Sequence, residues 1–253
     1  MAAVRTTALV IRSVDVFETS RVLTLFTREL GRVSVLAKGA RRLRSPFQSA
    51  LDLLSVCDIV LLHKASESLD LLTEAMLIER FNSLVHDLSA LYAGYYISEL
   101  LGELTHNHAP HPRLFEAAVV TLRHLDDPQL RSRRILRFEL ACLRELGLMP
   151  ALEQCVGCGE AVEADEGPVA FGTATGGVLC KSCRAGQGHV SLLSRSSLRT
   201  LQILSAPGQD WRKHELDPDS WKLIRQTMGL IVSHHIGRRP RMLDFLTAQT
   251  FGN

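Results

Sequence analysis

Two Cys-x-x-Cys pairs, Cys155-Val-Gly-Cys158 and Cys180-Lys-Ser-Cys183, constrain this chain more than any other feature it carries. Each pair can turn two thiolates toward one tetrahedral ion at about 2.3 Å, so the fold must bring both pairs together across the 21 residues between them. Gly157 and Gly159 free the backbone of the first pair to aim its amides at the sulfurs. A disulfide framework requires an oxidising compartment, a redox Cys-x-x-Cys needs no second copy, and an iron–sulfur cluster, the remaining alternative, usually uses other spacings. The reading is one structural Zn²⁺ held by Cys155, Cys158, Cys180 and Cys183, a closed shell with no place for a catalytic water. His189 lies near enough to substitute, but four sulfurs suffice. Cys57 and Cys142 fall in apolar strand and helix patterns and read as buried thiols.

The rest of the sequence describes an ordinary globular chain. Of its 253 residues 46% are hydrophobic and 22% charged, and no apolar run reaches the ~18 residues that span a bilayer. Arg12 and Asp15 interrupt the apolar N-terminal stretch, and no small-residue cleavage site follows, so no export signal is expected and the chain reads as cytoplasmic. The formal charge of +2 hides an asymmetry. Residues 1–50 hold nine basic groups against three acids, a surplus of +6, and the remainder carries −4. That places a polyanion partner at the N-terminal end.

Hydrophobic patterning changes once along the chain. Period-two alternation marks strands at Thr7–Val16, Arg21–Arg28, Arg32–Lys38, Val56–His63 and Leu69–Leu77, with a tight turn at Glu29-Leu30-Gly31. Five short strands with a long connection after the third predict a small closed barrel, OB-type or SH3-like. A three-to-four period then predicts one long helix from Glu79 to about Thr105. Further helices are expected at Arg113–Leu125, at Gln129–Leu146 stopped by Gly147, and at Arg195–Leu204, Ser220–Ile236 and Arg241–Thr250. The fold class is α+β: a barrel domain over residues 1–79, then a mostly helical domain over 80–253 interrupted at 150–190 by the cysteine module.

The densest basic cluster, Lys38-Gly-Ala-Arg41-Arg42-Leu-Arg44-Ser-Pro46, lies where the third strand leaves the barrel. Guanidinium groups on a loop suit backbone phosphates, with Arg12, Arg21 and Arg32 as weaker candidates. Only Phe17, Phe26 and Phe47 are aromatic in the first 80 residues, so binding is expected to be electrostatic and indifferent to sequence rather than driven by stacking. Arg131, Arg133, Arg134 and Arg137 open a helix and read as a solvated face; an acidic partner peptide is the alternative for Arg131, Arg134 and Arg137. His106, His108, His111, His234 and His235 read as structural. No phosphate loop, nucleophile elbow or His-Glu-x-x-His motif is present, which favours a non-enzyme.

Several segments, in this order, resemble the RecO family of bacterial recombination mediators. They are the Glu18–Gly31 stretch, Ala37-Lys-Gly-Ala-Arg41-Arg42, Tyr95–Leu101, Arg137–Pro150 running into the first cysteine pair, and His235–Leu246. The resemblance implies an N-terminal OB-fold, a helical domain and an inserted zinc module. It also implies binding of single- and double-stranded DNA, annealing of complementary strands, and loading of RecA together with RecR on strands coated by single-stranded DNA-binding protein (SSB), whose C-terminal tail is a further partner. It implies no hydrolysis. The rival from the residues themselves is a metal-dependent DNA-processing enzyme in which the cysteines only grip DNA, and a scaffold that binds proteins alone is a third reading.

Overall fold

The structure, a computed structural model, describes residues 2–42, 44–45, 47, 50–63, 69–162, 167–188, 190–208, 210–215 and 217–249. Leu43 and Pro46 of the basic cluster, His189 and Thr250 lie outside the described residues. The chain divides into two compact units, Met1–Pro128 and Gln129–Asn253.

The N-terminal unit is built on five strands: β1 (Ala2–Val16), β2 (Ser20–Thr27), β3 (Gly31–Ala37), β4 (Val56–His63) and β5 (Asp70–Glu79). They close in the order β1-β2-β3-β5-β4, with β3 and β5 parallel and every other pair antiparallel. This is the OB-like of the two barrels that five strands allow. Closure rests on β1, whose first half pairs with β4 (Ala2↔His63 to Leu9↔Val56) and whose second half pairs with β2 (Ala8↔Thr27 to Val16↔Ser20). A register shift between Val10 and Arg12 leaves Ile11 as an extra residue, and such a bulge bends a strand and sharpens its twist. The expected strand began only at Thr7, so the pairing of Ala2–Thr6 with β4 extends it.

Alternate residues fill the barrel, as period two demands: Ala8 and Val10, Leu23 and Leu25, Val33 and Val35, Cys57, Ile59 and Leu61. The connection between β3 and β4 plugs one end with Phe47, Ala50 and Leu51. Its last residues extend the β4 side of the ladder, Val10 N donating to Ser55 O at 3.0 Å and Leu54 N to Val10 O at 2.8 Å. The outward residues Leu9 and Phe26 are buried too, because α2 (Leu88–Leu104) packs on β1 and β2 and α3 (Pro112–Arg123) on β2. The barrel strands end at Glu79, and these helices group with the barrel rather than with the helices that follow. Gly31 has φ +70, and a Cβ there would stand 2.1 Å from Ala109 O, so the β2–β3 turn needs glycine for both conformation and space.

The single helix expected from Glu79 to Thr105 is a correction. Glu79 belongs to β5, and a short α1 (Ser83–His86) stops before α2 begins. Asp87 is extended, and its carboxylate accepts from Ser89 N at 2.8 Å and Ala90 N at 3.1 Å, which caps α2 and ends the preceding turn. Val85 and Leu88, which fall on the three-to-four period, are exposed.

The C-terminal unit contains α4 (Pro128–Glu145), α5 (Arg195–Ser205), α6 (Pro218–Ile236) and α7 (Leu243–Gln249). Gly147 at φ +71 closes α4, with Leu148 N donating to Leu143 O, and Gly237 at φ +79 closes α6. Between α4 and α5 the cysteine module forms a three-stranded sheet, β6 (Val169–Gly172), β7 (Gly177–Leu179) and β8 (Val190–Leu193), ordered β7-β6-β8. One face of it, Val169, Phe171, Val178 and Leu193, joins Leu136, Leu140, Leu201, Trp221 and Met228 in the helical core.

That core also holds an ion pair. Arg225 of α6 donates twice to Glu139 of α4, at 3.0 and 2.6 Å, and the two side chains are 6% and 0% exposed. Removing one partner leaves the other charge buried alone, which costs roughly 3–5 kcal/mol, whereas replacing both with apolar groups is often neutral. Glu139→Ala is therefore expected to lower the urea midpoint by about that free energy, and Glu139→Leu with Arg225→Met to recover most of it.

Candidate metal centre and nucleic-acid interface

The second face of the three-stranded sheet builds the metal centre. Ala170 and Leu179 point away from the helical core and pack with Val162, Val190 and the cysteines. Cys180 follows β7 directly, and Arg184 N donating to Cys180 O at 3.1 Å curls the Cys180–Cys183 pair into a turn. Gly159 N donating to Cys155 O at 2.8 Å does the same for the first pair. Val156 N bonds Val178 O at 3.0 Å and ties that first turn to β7. Each pair thus sits on its own tight turn, and one strand holds the two turns together.

All four sulfurs lie within 4.8 Å of one another, and Cys158 Sγ is 3.9 Å from Cys180 Sγ. Two ligands of a tetrahedral ion with bonds of about 2.3 Å stand about 3.8 Å apart, so the set fits one metal ion without rearrangement. A Cβ at Gly157 would stand 2.9 Å from both Cβ and Sγ of Cys183, so this position has to be glycine for the turns to close. Amides at 3.3 Å (Cys180 N) and 3.4 Å (Gly157 N) point at Cys155 Sγ. The Cys180 amide first, and then those of Gly157 and Cys158, bring the Cys155 thiol down to about 6 against some opposing burial. Cys183, sharing protons with Cys180 first and then Cys155 and Cys158, is pushed up to about 12. Four sulfurs this close cannot all ionise unless a cation joins them.

Among the described residues these cysteines are the one group of three or more His, Cys, Asp or Glu side chains close enough to share an ion. Cys57 and Cys142 are buried thiols, as their patterns imply, and burial pushes Cys57 up to about 12. A metal takes thiolates, so loading must expel the protons that this crowded set of thiols retains. Apparent metal affinity is expected to fall by about tenfold per unit of acidification for each proton expelled, read by competition with a chromophoric chelator at two pH values. The chain's two tryptophans, Trp211 and Trp221, both lie in the core that the sheet completes. Their emission should shift to the red when the metal is stripped.

The N-terminal charges separate into paired and unpaired groups. Arg5 bonds Asp58 at 2.6 Å and Arg28 bonds Glu116 at 3.0 Å. Arg21 and Arg41 share Asp15, at 2.9 and 3.2 Å. Arg32 donates to Asn107 Oδ1 at 2.9 Å and to Gly102 O, fastening the end of α2 to β3. Arg12, Lys38, Arg42 and Arg44 are exposed, and among the described residues they have no carboxylate partner. Three of these four stand on the connector that leaves β3, where Gly39 at φ +74 turns the chain and Arg42 N donates to Gly39 O at 3.1 Å. Arg41 fastens that connector to the β1–β2 turn: its backbone N donates to Thr19 O at 3.0 Å, and its guanidinium to Phe17 O at 3.3 Å and Glu18 O at 3.4 Å.

The arginines of α4 lie differently from a solvated face. Arg131 is buried. Arg133 donates to Arg212 O and His214 O at 2.8 Å, Arg137 to Leu204 O at 2.9 Å and Ala206 O at 3.0 Å, and Arg144 to Ser205 O. Arg134 and Arg137 also stand 5.6 and 5.0 Å from the centre of the Trp211 ring, within cation–π range. Burial first, then the nearby Arg144 and Arg212, lowers the pKa of Arg137. Arg137 and Arg144 thus satisfy carbonyls at the open end of α5 and Arg133 those of the segment after it, some 60–80 residues further along the chain, which no local pattern reveals.

Comparison with known proteins accounts for this combination of barrel, helices and cysteine centre. Residues 1–81 match the family described as Recombination protein O N terminal, and residues 85–244 match Recombination protein O C terminal. The DNA repair protein RecO of Rhodopirellula baltica is 43% identical over 199 residues, 79% of this chain and 74% of its own. That of Anaeromyxobacter sp. (strain K) is 36% identical over 247 residues, 97% of this chain and 96% of its own, and that of Myxococcus xanthus is 33% identical over 242 residues, 94% and 95% respectively. With both family halves matched in order and relatives aligned over nearly the whole length, the chain belongs to the RecO family of DNA repair proteins.

Proposed function

We propose that this protein is a non-enzymatic recombination mediator. It holds single- and double-stranded DNA by the phosphates, anneals complementary strands, and works with RecR to load RecA onto strands coated by SSB. The observation that carries the reading is the sorting of charges on the barrel. Among the described residues four of the nine basic groups in the first 50 positions, Arg5, Arg21, Arg28 and Arg41, pair with carboxylates, while Lys38, Arg42 and Arg44 stand on one connector without a carboxylate partner, with Arg12 exposed on β1. Cations without partners attract a polyanion and release its counterions, so affinity falls steeply with salt. Arg41 belongs to the same site as the clamp that positions the connector, and Arg21 and Arg32 contribute field more than contact.

The metal is one structural Zn²⁺. Cys155, Cys158, Cys180 and Cys183 supply the four-sulfur shell that zinc favours, and such a shell offers no position for a reacting water. Among the described residues no helix is long and apolar enough to cross a membrane, and the proposed place of work is the cytoplasm, at the nucleoid. RecR and the C-terminal tail of SSB enter as partners through the family. Of Arg131, Arg134 and Arg137, the candidates for that tail, Arg131 is buried and Arg137 is committed to the carbonyls of Leu204 and Ala206.

If about five phosphates are contacted, log affinity for single strands should fall with log salt at a slope near −3.5. Changing Lys38, Arg42 and Arg44 together to Ala is expected to make that slope shallower by about 2 units and to weaken binding at low salt. An unchanged slope would move the interface elsewhere. Pairing of SSB-coated complementary oligonucleotides, with and without RecR, tests mediation, and labelled DNA incubated with magnesium tests the rival: loss of length means an enzyme, pairing without loss means a mediator.

A further inference from the structure

The β1–β2 turn presents one aromatic ring to solvent beside these uncompensated cations. Phe17 is 85% exposed, whereas Phe26 and Phe47 are buried. Its φ is +53, a left-handed conformation that suits glycine or asparagine and strains a bulky side chain. Neither the exposure nor the conformation helps the barrel fold. Both are held in place: Arg41 grips the carbonyls of Phe17 and Glu18 and, through its own amide, that of Thr19, while its guanidinium pairs with Asp15. The ring is thereby fixed to the connector that bears Lys38, Arg42 and Arg44.

A protein partner would ask for a contiguous apolar patch. Here Phe17 stands among Asp15, Glu18, Arg21 and Arg41, and the apolar side chains that precede it on β1 are two valines, partly buried Val16 and half-exposed Val14. A π-face amid charges, next to cations that have no carboxylate partner among the described residues, fits a ligand that alternates flat rings with phosphates. We propose that Phe17 stacks on one unpaired nucleobase of a single strand whose phosphates lie along the Lys38–Arg44 connector. The inference rests on the reading of that connector as a DNA-binding site. A duplex, whose bases already stack on one another, meets the cations alone.

The test uses the full chain and three labelled probes of equal length: oligo-dT, a strand of abasic sites, and a duplex. Phe17→Ala and Phe17→Leu are expected to weaken oligo-dT binding about 5- to 150-fold, the range for one lost base–aromatic stack. Salt slope and affinity for the other two probes should not change. Phe17→Trp should retain oligo-dT affinity, with its turn tryptophan quenched by oligo-dT and not by the abasic strand. The exposed, strained position predicts an unfolding midpoint for Phe17→Ala no lower than that of the parent. Unchanged oligo-dT affinity in Phe17→Ala, in the face of a loss in the Lys38/Arg42/Arg44 variant, overturns the stacking role and leaves phosphate binding intact. An equal loss on all three probes overturns it as well, since the ring would then only shape the turn. Failure of the parent protein to bind any probe removes the underlying reading and this one with it.

Discussion

The N-terminal unit depends on one strand being long enough to serve two neighbours. A five-stranded sheet closes only if a strand bonds both edges, and β1 does so by giving its first half to β4 and its second half to β2. The Ile11 bulge supplies the bend between the halves. Everything proposed for this unit follows from where that strand ends. Its last residue leads into the turn at Phe17, and its pairing with β2, and of β2 with β3, brings Arg21 opposite both Asp15 and Ala37. The connector therefore leaves β3 beside the β1–β2 turn, and Arg41 needs only a side chain's length to join them. The end of the barrel that carries this charge is thus set by strand register, and further along the same connection Phe47, Ala50 and Leu51 enter the barrel core.

In the C-terminal unit a comparable economy links metal and core. Because side chains alternate across a strand, β6 puts Val169 and Phe171 into the helical core and Ala170 toward the cysteines, and β7 divides Val178 from Leu179 in the same way. The cysteine module is an insertion in sequence, between α4 and α5, yet one face of it is core. Loss of a metal bound there would then unsettle more than a loop: the sheet's inner face contributes to the packing around Trp221 and Met228, so the energy of metal binding would act on the helices as well.

Much of this was legible in the sequence, and the parts that were not share a physical cause. The strands of the barrel, the turn at Gly31, the helix stop at Gly147 and the convergence of the cysteines all rest on local signals, namely periodicity, glycine at turn positions and ligand spacing. Ala2–Thr6 escaped because an alternating pattern is hard to see in small residues whose partner strand lies more than 50 residues away. The break at Asp87 escaped because Leu84, Val85 and Leu88 keep a helical period that the cap overrides. β6 to β8 are three or four residues each, and glycine-rich sequence around them reads as loop. Counting aromatics correctly found them few. It could not tell that Phe26 and Phe47 are interior and Phe17 is not.

Charge shows the same limit most sharply. The surplus of +6 in the first 50 residues points to a polyanion, but a sum of formal charges does not distinguish an arginine that holds a helix end, like Arg32, from one left open to a ligand, like Arg42. On the proposed reading the distinction matters to the reaction. A protein that pairs strands must hold both the single strand it starts from and the duplex it makes. Phosphates are common to the two, so Lys38, Arg42 and Arg44 would grip either. A single exposed ring would act only while bases are unpaired, and its contact would be lost as each base finds its complement, so that annealing itself would loosen the protein's hold on the product.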